Sequence, residues 1–524
     1  MTSANYHQVA SCALTGLDGV PLEIEVSILA GIPQFEISGR GDPAIRESRE
    51  RVRAAISNSG FRFPKGRVIA SYAPAALPKQ GSAFDLPLAL AILAASSQAA
   101  RPEGSLKSAY LGELSLDGRI KPVNGILSRL LALREVGVRY VVGPREGEEE
   151  ASLVDSIEYE GACDLREAVH RFSGIRSGRI RPRHPGKGPP SASETGWFRQ
   201  IAGQEEGLRA CVIASAGWHP LLMMGAPGCG KTLLASLIPK FLPPLDDDEM
   251  LEVMRLISAT QPAGGEAGLC PQRPFRHTHH SITVPAMVGG GAHPVPGEST
   301  LAHRGVLFLD EVTEMNARVL DALREPVESQ EVRLARSGWK VTFPADFLLV
   351  AACNPCRCGL LIEPESLCRC QDSDIRRHLS RISGPFFDRF HLTAMLTRVG
   401  ASRLAGEDRQ EGEESAMCRI RDQVSQAWAL QKNRASRAGH GLFLNSRVRP
   451  ELPFDYFQVG DEAKGFAASL ADASLMTARS FYSMIRVART IADLDQRETV
   501  SREDVAEAFH YKAAMPWPVP ELRP

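Results

Sequence analysis

The stretch that decides the fold runs from residue 221 to residue 238 and reads LLMMGAPGCGKTLLASLI. Its first four residues are apolar, as expected of a buried strand, and the apolar run 233–238 at its end fits a helix. Between them, residues 225–232 have the spacing G-x-x-x-x-G-K-T. A strand, a glycine-rich loop and a helix in this order predict a P-loop, in which backbone N–H groups and the helix N-terminus hold phosphates.

The P-loop pattern also assigns roles to side chains. Lys231 is predicted to reach the β- and γ-phosphates and Thr232 to hold Mg²⁺, so ATP and Mg²⁺ are the expected cofactors. Cys229 lies inside the loop and is interpreted as a filler at a variable position; a thiol whose pKa is lowered by the helix N-terminus is the alternative interpretation. The predicted nucleotide-binding residues are Gly225, Pro227, Gly228, Cys229, Gly230, Lys231, Thr232 and Asp310.

Two later apolar segments end in polar residues that suit ATP hydrolysis. Residues 305–309 are followed by Asp310 and Glu311, and together they form a Walker B element. In this element Asp310 would lie near Mg²⁺, and Glu311 would polarise the attacking water. Residues 347–353 end at Asn354, which is suited to position that water, a role called sensor 1. A capping asparagine before a proline is the alternative interpretation of Asn354.

Arginines near the end of the alternating region complete the predicted site. Arg389 precedes a short apolar strand, where a ring-forming ATPase places the arginine finger that enters the neighbouring subunit's site. Arg381 is the competing candidate. Arg479 lies at the start of a long helix, and its role as a second sensor depends on the family resemblance given below. The predicted catalytic residues are Glu311, Asn354, Arg389 and Arg479.

A β-hairpin is predicted over residues 331–343, between Walker B and sensor 1. It carries Arg336, Trp339 and Lys340 around its Ser-Gly turn. Basic groups beside an aromatic ring suit a nucleic-acid backbone and stacked bases, so these three residues are the predicted DNA contacts. An exposed hairpin without a ligand is the alternative.

Four cysteines form two C-x-C pairs, Cys356 with Cys358 and Cys368 with Cys370. Four thiolates so close in sequence, in a reducing compartment, suit a structural Zn²⁺ with tetrahedral geometry. Free thiols in a cysteine-rich loop are the alternative. The histidines of residues 277–280 lie in glycine-rich surroundings without a rigid frame, and an insert loop is favoured there over a metal site.

Composition limits the class of protein. The chain has 524 residues, too many for one core, and its 61 basic and 62 acidic residues give a net charge of −1. A DNA contact must therefore come from local basic patches. The N-terminus has no signal-peptide pattern, and the longest apolar stretch, around residues 86–95, is too short to span a bilayer. A cytoplasmic protein without membrane contact is expected.

Four segments are predicted along the chain. Residues 1–172 read as an α/β or α+β domain and residues 173–196 as a linker, with a phosphate-contacting arm as the alternative. Residues 197–397 form the ATPase core and residues 398–524 a helical lid. The predicted strands of the first segment are 20–28, 67–72 and 138–143, and its predicted helices are 44–57 and 84–95. The predicted lid helices are 416–434, 473–492 and 502–513.

These motifs together resemble the ComM/YifB family of magnesium-chelatase-like AAA+ ATPases over nearly the whole chain. The resemblance implies a homo-hexameric ring, a hairpin inserted before sensor 1, and ATP-driven branch migration of DNA during natural transformation. It also supports Arg389 as the finger and Arg479 as the second sensor. The segments that carry it, besides the P-loop, are residues 84–93, 289–291, 299–311, 354–356 and 486–494.

The first segment resembles the Lon protease domain, a ribosomal S5 domain 2-like α+β fold. Residues 112–127 resemble the segment around Lon's catalytic lysine, which activates a serine. Leu127 stands at the lysine position and Ala83 at the serine position, and leucine cannot accept a proton. No peptidase activity is predicted, and the domain is expected to bind or assemble. Nearby residues of the catalytic types are Ser82, Lys79 and Lys121.

The sequence thus predicts an inactive Lon-like domain, an AAA+ P-loop αβα core and a C-terminal helical lid. The predicted activity is that of an ATPase that translocates on DNA, as a helicase or branch-migration motor in recombination or natural transformation. The alternatives are a motor subunit of a magnesium chelatase, an ATP-dependent protein remodeller or protease, and a non-enzymatic scaffold switched by ATP.

Overall fold

The computed structural model describes residues 5–38, 43–74, 83–100, 108–174, 203–261, 272–291, 294–336, 339–363, 368–398, 413–439, 441, 443–448 and 454–513. The chain divides into two compact units. Unit 1 comprises residues 1–189 and 246–271, and unit 2 comprises residues 190–245 and 272–524. Of the predicted linker, only Ser173 and Gly174 lie among the described residues. No described helix is both long and apolar enough to cross a bilayer.

Unit 1 is built on a seven-stranded mixed sheet. Its strands are β1 (Tyr6–Thr15), β2 (Asp18–Leu29), β3 (Gln34–Ser38), β4 (Arg67–Ala73), β5 (Ser108–Tyr110), β8 (Tyr140–Pro144) and β9 (Glu158–Ala162), and β6 (Glu113–Leu114) and β7 (Ile120–Lys121) form a separate hairpin. The order in the sheet is β3-β4-β2-β1-β5-β8-β9. Strand β2 is antiparallel to β1 and β4, whereas β5, β8 and β9 continue the sheet in parallel.

Unit 1 also contains helices, most of which pack against this sheet. They are α1 (Pro43–Asn58), α2 (Asp85–Ala95), α3 (Ile126–Glu135), α4 (Glu148–Ala151), α5 (Leu165–Phe172) and α8 (Asp247–Thr260). Every residue of α2 is buried, which explains its uninterrupted apolar sequence. The one charged residue of α2, Asp85, accepts hydrogen bonds from Arg51 Nε at 2.9 Å and from the backbone N–H of Leu114 at 3.3 Å. The helices and strands predicted for this segment are present, with ends shifted by one or two residues.

Helix α8 belongs to unit 1 although the sequence places it after the P-loop helix, within the predicted core 197–397. Its start is fixed by a capping box between Asp246 and Glu249. The apolar face of α8 packs into the cluster around α3, where Met254 lies with Leu127. The backbone N–H of Gly125 donates to the carbonyl of Ser258 at 2.6 Å. The chain therefore leaves unit 2 after the P-loop helix and returns to it before the next strand.

Unit 2 contains a five-stranded sheet that is parallel throughout. Its strands are β10 (Leu221–Gly225), β11 (Phe275–Thr278), β12 (Val306–Leu309), β15 (Leu348–Cys353) and β16 (Leu392–Leu396), in the order β11-β12-β15-β10-β16. Strands β10 and β15 are buried over their whole length, as expected of a parallel sheet covered on both faces. The predicted hairpin is present as β13 (Glu331–Arg336) and β14 (Trp339–Pro344), which pair in antiparallel register.

Helices flank the sheet of unit 2 and form its C-terminal part. They are α6 (Glu205–Gly217), α7 (Lys231–Phe241), α9 (Val284–Val288), α10 (Glu298–Leu301), α11 (Ala317–Ala322), α12 (Arg324–Ser329), α13 (Asp372–Leu379), α14 (Gly384–Phe387), α15 (Glu413–Arg437), α16 (Asp461–Ala473), α17 (Ala478–Leu494) and α18 (Arg502–Ala513). The α+β first unit, the P-loop αβα core and the C-terminal helices confirm the predicted fold class.

The helix predicted over residues 473–492 begins too early, and helix α16 was not predicted. Ala473 ends α16, and Leu475 then takes a left-handed backbone conformation with φ of 50°. Thr477 caps the next helix, because its side chain accepts a hydrogen bond from the backbone N–H of Ser480. The apolar periodicity continues across this break, which is why the sequence suggested a single helix.

A buried charge network joins the C-terminal helices. Asp493 is fully buried and accepts from Arg489 Nε at 3.1 Å and from Asn445 Nδ2 at 2.9 Å, and it also pairs with Arg434. The Arg489 guanidinium, which is 1% exposed, donates in addition to three backbone carbonyl oxygens. Removing the carboxylate would leave two guanidinium groups without their acid in a dry environment.

We therefore expect Asp493→Ala to lower the stability of unit 2 by about 3–5 kcal/mol, the cost of leaving buried charges unpaired. The measurement is the unfolding transition of unit 2 in urea, followed by circular dichroism. The control is Asp472→Ala, which removes an exposed carboxylate from α16 and should change stability by less than about 0.5 kcal/mol. Equal transitions for the two variants would contradict this account of the network.

Candidate nucleotide site

The carboxyl ends of three neighbouring parallel strands bring the predicted site residues together. In the order β12-β15-β10, each strand ends at the same edge of the sheet. Asp310 follows β12, Asn354 follows β15, and the P-loop follows β10. Ligands of open parallel sheets bind in the crevice outside these strand ends. The arrangement therefore forms one site from three separate sequence motifs.

The P-loop residue Lys231 occupies the centre of this site. Its ammonium group donates to the carbonyl oxygens of Gly225 at 2.7 Å and Ala226 at 2.9 Å, and to Asn354 Oδ1 at 3.1 Å. The loop can curl around the ammonium group because Gly228 and Gly230 have φ angles of 79° and 95°. Lys231 thus links the P-loop directly to the predicted sensor.

The predicted magnesium-binding residues are adjacent. Thr232 Oγ1 lies 3.4 Å from Asp310 Oδ2. A hydroxyl and a carboxylate are hard oxygen ligands of the kind that Mg²⁺ prefers, so these two residues fit the ion.

Glu311, the second acid of the Walker B element, is more exposed than Asp310, at 51% against 26%. It also has a left-handed backbone with φ of 49°, a conformation that costs energy in a non-glycine residue and is often found at functional sites.

The structure does not support the alternative interpretation of Cys229, a thiol with a lowered pKa. Its side chain is buried in the core beneath the loop. Burial raises the pKa of the thiol, and the nearby Lys231 ammonium group only partly offsets this effect. The helix N-terminus alone suggested a lowered pKa, because the sequence does not show that the side chain points into an apolar core.

Two histidines that the sequence analysis assigned to a loop lie beside the Walker B acids. His277 Nε2 lies 3.3 Å from Asp310 Oδ2. His280 Nδ1 lies 2.9 Å from Glu311 Oε2 but is not aligned for a hydrogen bond. The pairing of β11 with β12 causes this proximity. The sequence analysis missed this approach because it did not predict the short strand Phe275–Thr278, which brings both histidines to the site.

The segment after Asn354 folds back onto the P-loop. His378, in α13, approaches the backbone carbonyl of Asn354 with Nε2 at 3.1 Å. Gly359 has a φ of 77°, and a Cβ atom at this position would come within 2.4 Å of Pro227 Cδ. The loop that carries the cysteines therefore packs against the P-loop at van der Waals distance.

The four predicted zinc ligands converge in this loop. Their sulfur atoms all lie within 4.8 Å of one another. Cys356 Sγ is 3.3 Å from Cys358 Sγ and 3.6 Å from Cys368 Sγ. A tetrahedral Zn²⁺ with Zn–S bonds of about 2.3 Å needs sulfur atoms about 3.8 Å apart. The four side chains therefore fit a tetrahedral ion, and Cys356 is fully buried against Ile375 and Leu379.

The predicted arginine finger lies apart from the P-loop contacts. Arg389 is only 8% exposed and pairs with Glu328 at 3.0 Å. Arg479 pairs with the same Glu328 oxygen atom at 2.8 Å and is 47% exposed. The competing candidate, Arg381, pairs instead with Glu314 beside Walker B. Among the described residues, no arginine forms a hydrogen bond or ion pair with Lys231, Thr232, Asp310, Glu311 or Asn354.

The predicted DNA contacts lie on the hairpin β13–β14. Arg336 and Trp339 are opposite each other in its register, and Lys340 follows with an exposed side chain. The turn at residues 337–338 and the side chains of Arg336 and Trp339 lie outside the part that the structure describes.

The positions aligned with the Lon dyad are part of an apolar core. Ala83 and Leu127 are buried in one cluster that also contains Met254 of α8. The backbone N–H of Leu127 donates to Glu150 Oε2 at 3.2 Å and to Ser258 Oγ at 3.3 Å. Lys121 is exposed, and Ser82 and Lys79 lie outside the described residues. The absence of peptidase activity stays a prediction.

The chain was compared with known proteins, and its similarity to them covers almost its whole length. Three family models match: magnesium chelatase subunit ChlI over residues 197–404, subunit ChlI of Mg-chelatase over residues 24–147, and the ChlI C-terminal region over residues 412–512. The chain is 38% identical over 506 residues to the protein YifB of Salmonella typhimurium, covering 96% of each. It is 36% identical over 512 residues to the competence protein ComM of Haemophilus influenzae, covering 96% of this chain and 97% of ComM.

The N-terminal resemblance is also found. The chain shares 31% identity over 147 residues with the Lon protease of Clostridioides difficile, which is 27% of this chain and 18% of Lon. This match confirms that the first unit contains a Lon-like domain.

We expect Gly359→Ala to weaken ATP binding about tenfold or more. The new methyl group would meet Pro227, and the left-handed backbone would be strained, so the P-loop would have to shift. A fluorescent ATP analogue measures the affinity. Gly384→Ala is the control, because a Cβ there meets nothing within 4 Å. Unchanged affinity in Gly359→Ala would show that the cysteine loop does not set the shape of the P-loop.

Proposed function

Because the chain belongs to the ComM/YifB family of magnesium-chelatase-like AAA+ proteins, we propose that it is an ATP-hydrolysing motor that translocates on DNA, in recombination or natural transformation. The observation that carries the proposal is the convergence of Lys231, Thr232, Asp310 and Asn354 at one edge of the sheet. The competence protein ComM, similar over almost its full length, supports the link to DNA uptake.

Each residue at the sheet edge has a role in the proposed hydrolysis. The Lys231 ammonium group exchanges its carbonyl partners for phosphate oxygens when ATP enters. Thr232 and Asp310 would hold Mg²⁺, and the ion would neutralise phosphate charge. Glu311 accepts a hydrogen bond from the attacking water, and Asn354 orients that water toward the γ-phosphorus. The products are ADP and inorganic phosphate.

We propose that hydrolysis takes place between subunits of a homo-hexameric ring. Lys231 is the cation of the nucleotide site, and the arginines do not contact the residues around it within the described chain. An arginine that stabilises the negative charge of the transferring phosphoryl group, an effect worth about three orders of magnitude or more in rate, would then come from the neighbouring subunit. Arg389 and Arg479 are the proposed source.

We propose the hairpin β13–β14 as the DNA-contacting element, in the central pore of the ring. Its sequence offers Arg336, Trp339 and Lys340, and the Lys340 side chain is exposed. Cationic side chains bind the phosphate backbone, and an aromatic ring stacks on bases without regard to sequence. This mode of binding suits a motor that must pass along any DNA.

The second candidate is the motor subunit of a metal chelatase, favoured by the three family models named after the ChlI subunit. Such a motor needs ATP but not DNA. Stimulation of hydrolysis by DNA separates the two candidates, because only the first predicts it.

We expect four-way-junction or single-stranded DNA to raise the ATPase rate several-fold, and Glu311→Gln to abolish hydrolysis with and without DNA. Lys340→Glu should remove most of the stimulation and leave the rate without DNA unchanged. Lys432→Glu makes the same charge change on an exposed position of α15 and should keep the stimulation. A basal rate indifferent to DNA in the wild type would favour the chelatase-type motor.

We also propose a structural Zn²⁺ at Cys356, Cys358, Cys368 and Cys370, since their sulfur spacing suits a tetrahedral ion. Its role would be to hold the loop between Asn354 and α13. The ion takes no part in the reaction.

We expect about one zinc ion per purified chain, measured by mass spectrometry of the metal content. Cys356→Ser should lose the zinc and weaken ATP binding, because the loop no longer fixes Asn354. Cys163 is exposed and lies outside the cluster, so the control variant Cys163→Ser should keep both the zinc and the ATP affinity. A wild-type protein that folds and binds ATP after complete removal of zinc would refute the structural role.

A further inference from the structure

One carboxylate oxygen holds both arginines of the proposed trans-acting pair. Oε1 of Glu328, near the end of α12, accepts a hydrogen bond from Arg479 Nη2 at 2.8 Å and forms an ion pair with Arg389 Nη2 at 3.0 Å. Arg389 follows α14 and Arg479 lies in α17, so three separate elements of unit 2 meet at this atom. This hydrogen bond and this ion pair hold the two guanidinium groups at one carboxylate.

The cluster around Glu328 carries more positive than negative charge. Arg324, on the same helix, is close enough to act on Arg389, and burial together with Arg479 and Arg324 lowers the pKa of Arg389. Arg324 has its own acid, Asp321, at 2.7 Å. Three guanidinium groups therefore share two carboxylates. Further anionic charge would relieve the repulsion among them.

Two hydrogen-bond donors of the cluster have no acceptor among the described residues. The Nε–H groups of Arg324 and Arg389 are buried, and neither has a hydrogen-bond partner among the described residues. Buried donors without acceptors cost free energy and are rare in folded proteins. An incoming anion with several oxygen atoms could accept from such groups, whereas one carboxylate cannot reach them all.

The contact also restrains the proposed finger. Arg389 donates to the carbonyl oxygen of Pro385 as well as to Glu328, and 92% of its side chain is buried. Glu328 is 49% exposed, so solvent and other chains reach the carboxylate side of the cluster. A phosphate oxygen from outside would therefore compete first with the Glu328 carboxylate.

We propose that Glu328 is a surrogate anion, which holds Arg389 and Arg479 together in the ATP-free chain and is displaced by the terminal phosphate of a polyphosphate bound from a neighbouring subunit. The identity of that phosphate as ATP rests on the proposed function. Helix α12 ends at Ser329, and the hairpin strand β13 begins at Glu331. Displacement of Glu328 would therefore act on the element proposed to contact DNA.

The test measures anion binding without the P-loop. In a Lys231→Ala background, calorimetry with inorganic tripolyphosphate at low ionic strength reports on the arginine cluster. Glu328→Gln removes the competing charge and should tighten binding roughly tenfold, the change expected from about one charge-assisted hydrogen bond. The control Glu325→Gln makes the same change at an exposed position of α12 and should leave the affinity unaltered.

The gain in tripolyphosphate affinity must depend on Arg389 and Arg479. Adding Arg389→Ala or Arg479→Ala to Glu328→Gln should abolish it. If Glu328→Gln does not fold, Glu328→Asp serves instead, because a carboxylate shorter by one methylene cannot reach both guanidinium groups and should give a smaller gain. Equal affinities for Glu328→Gln and Glu325→Gln, or a gain that persists without Arg389 and Arg479, would overturn the proposal. These outcomes do not depend on hydrolysis or DNA, so they are separate from failure of the proposed function.

Discussion

The ammonium group of Lys231 is shared between two carbonyl oxygens of its own loop and the amide oxygen of Asn354, and this contact unites the nucleotide site. It is possible only because β10 and β15 are hydrogen-bonded neighbours that run in parallel. The same strand order places Asp310 beside Thr232. A change in the strand order would separate the motifs, although each would remain intact in the sequence.

The geometry of Asn354 depends in turn on the loop that follows it. The cysteines form a small cluster there, Gly359 rests against Pro227, and His378 reaches the backbone of Asn354. The sensor is thus held on one side by the sheet and on the other by a compact loop. A loop of this kind tolerates no side chain at Gly359, because its backbone lies against a proline that is itself part of the P-loop.

The sequence predicted the motifs of this site because their chemistry is local: a glycine loop, a strand that ends in acids, paired cysteines. It did not predict Glu328, which reads as an ordinary exposed acid on a short helix. Glu328 acquires its role through arginines that lie far along the chain, at positions 389 and 479. Helix α8 shows the same limit, since its amphipathic pattern predicts a buried face but not the core that receives it.

The residues around Lys231 and the arginine pair also differ in how they are held. Asp310 and Asn354 directly follow buried parallel strands, and Lys231 begins the helix that follows the P-loop. The arginine pair is held by one half-exposed carboxylate, that of Glu328. Catalytic groups at strand ends are positioned before the nucleotide arrives, whereas groups held by a displaceable ion pair respond to it. Under the proposed function, a site divided in this way would bind ATP with one part and sense its terminal phosphate with the other, as a ring of cooperating subunits requires.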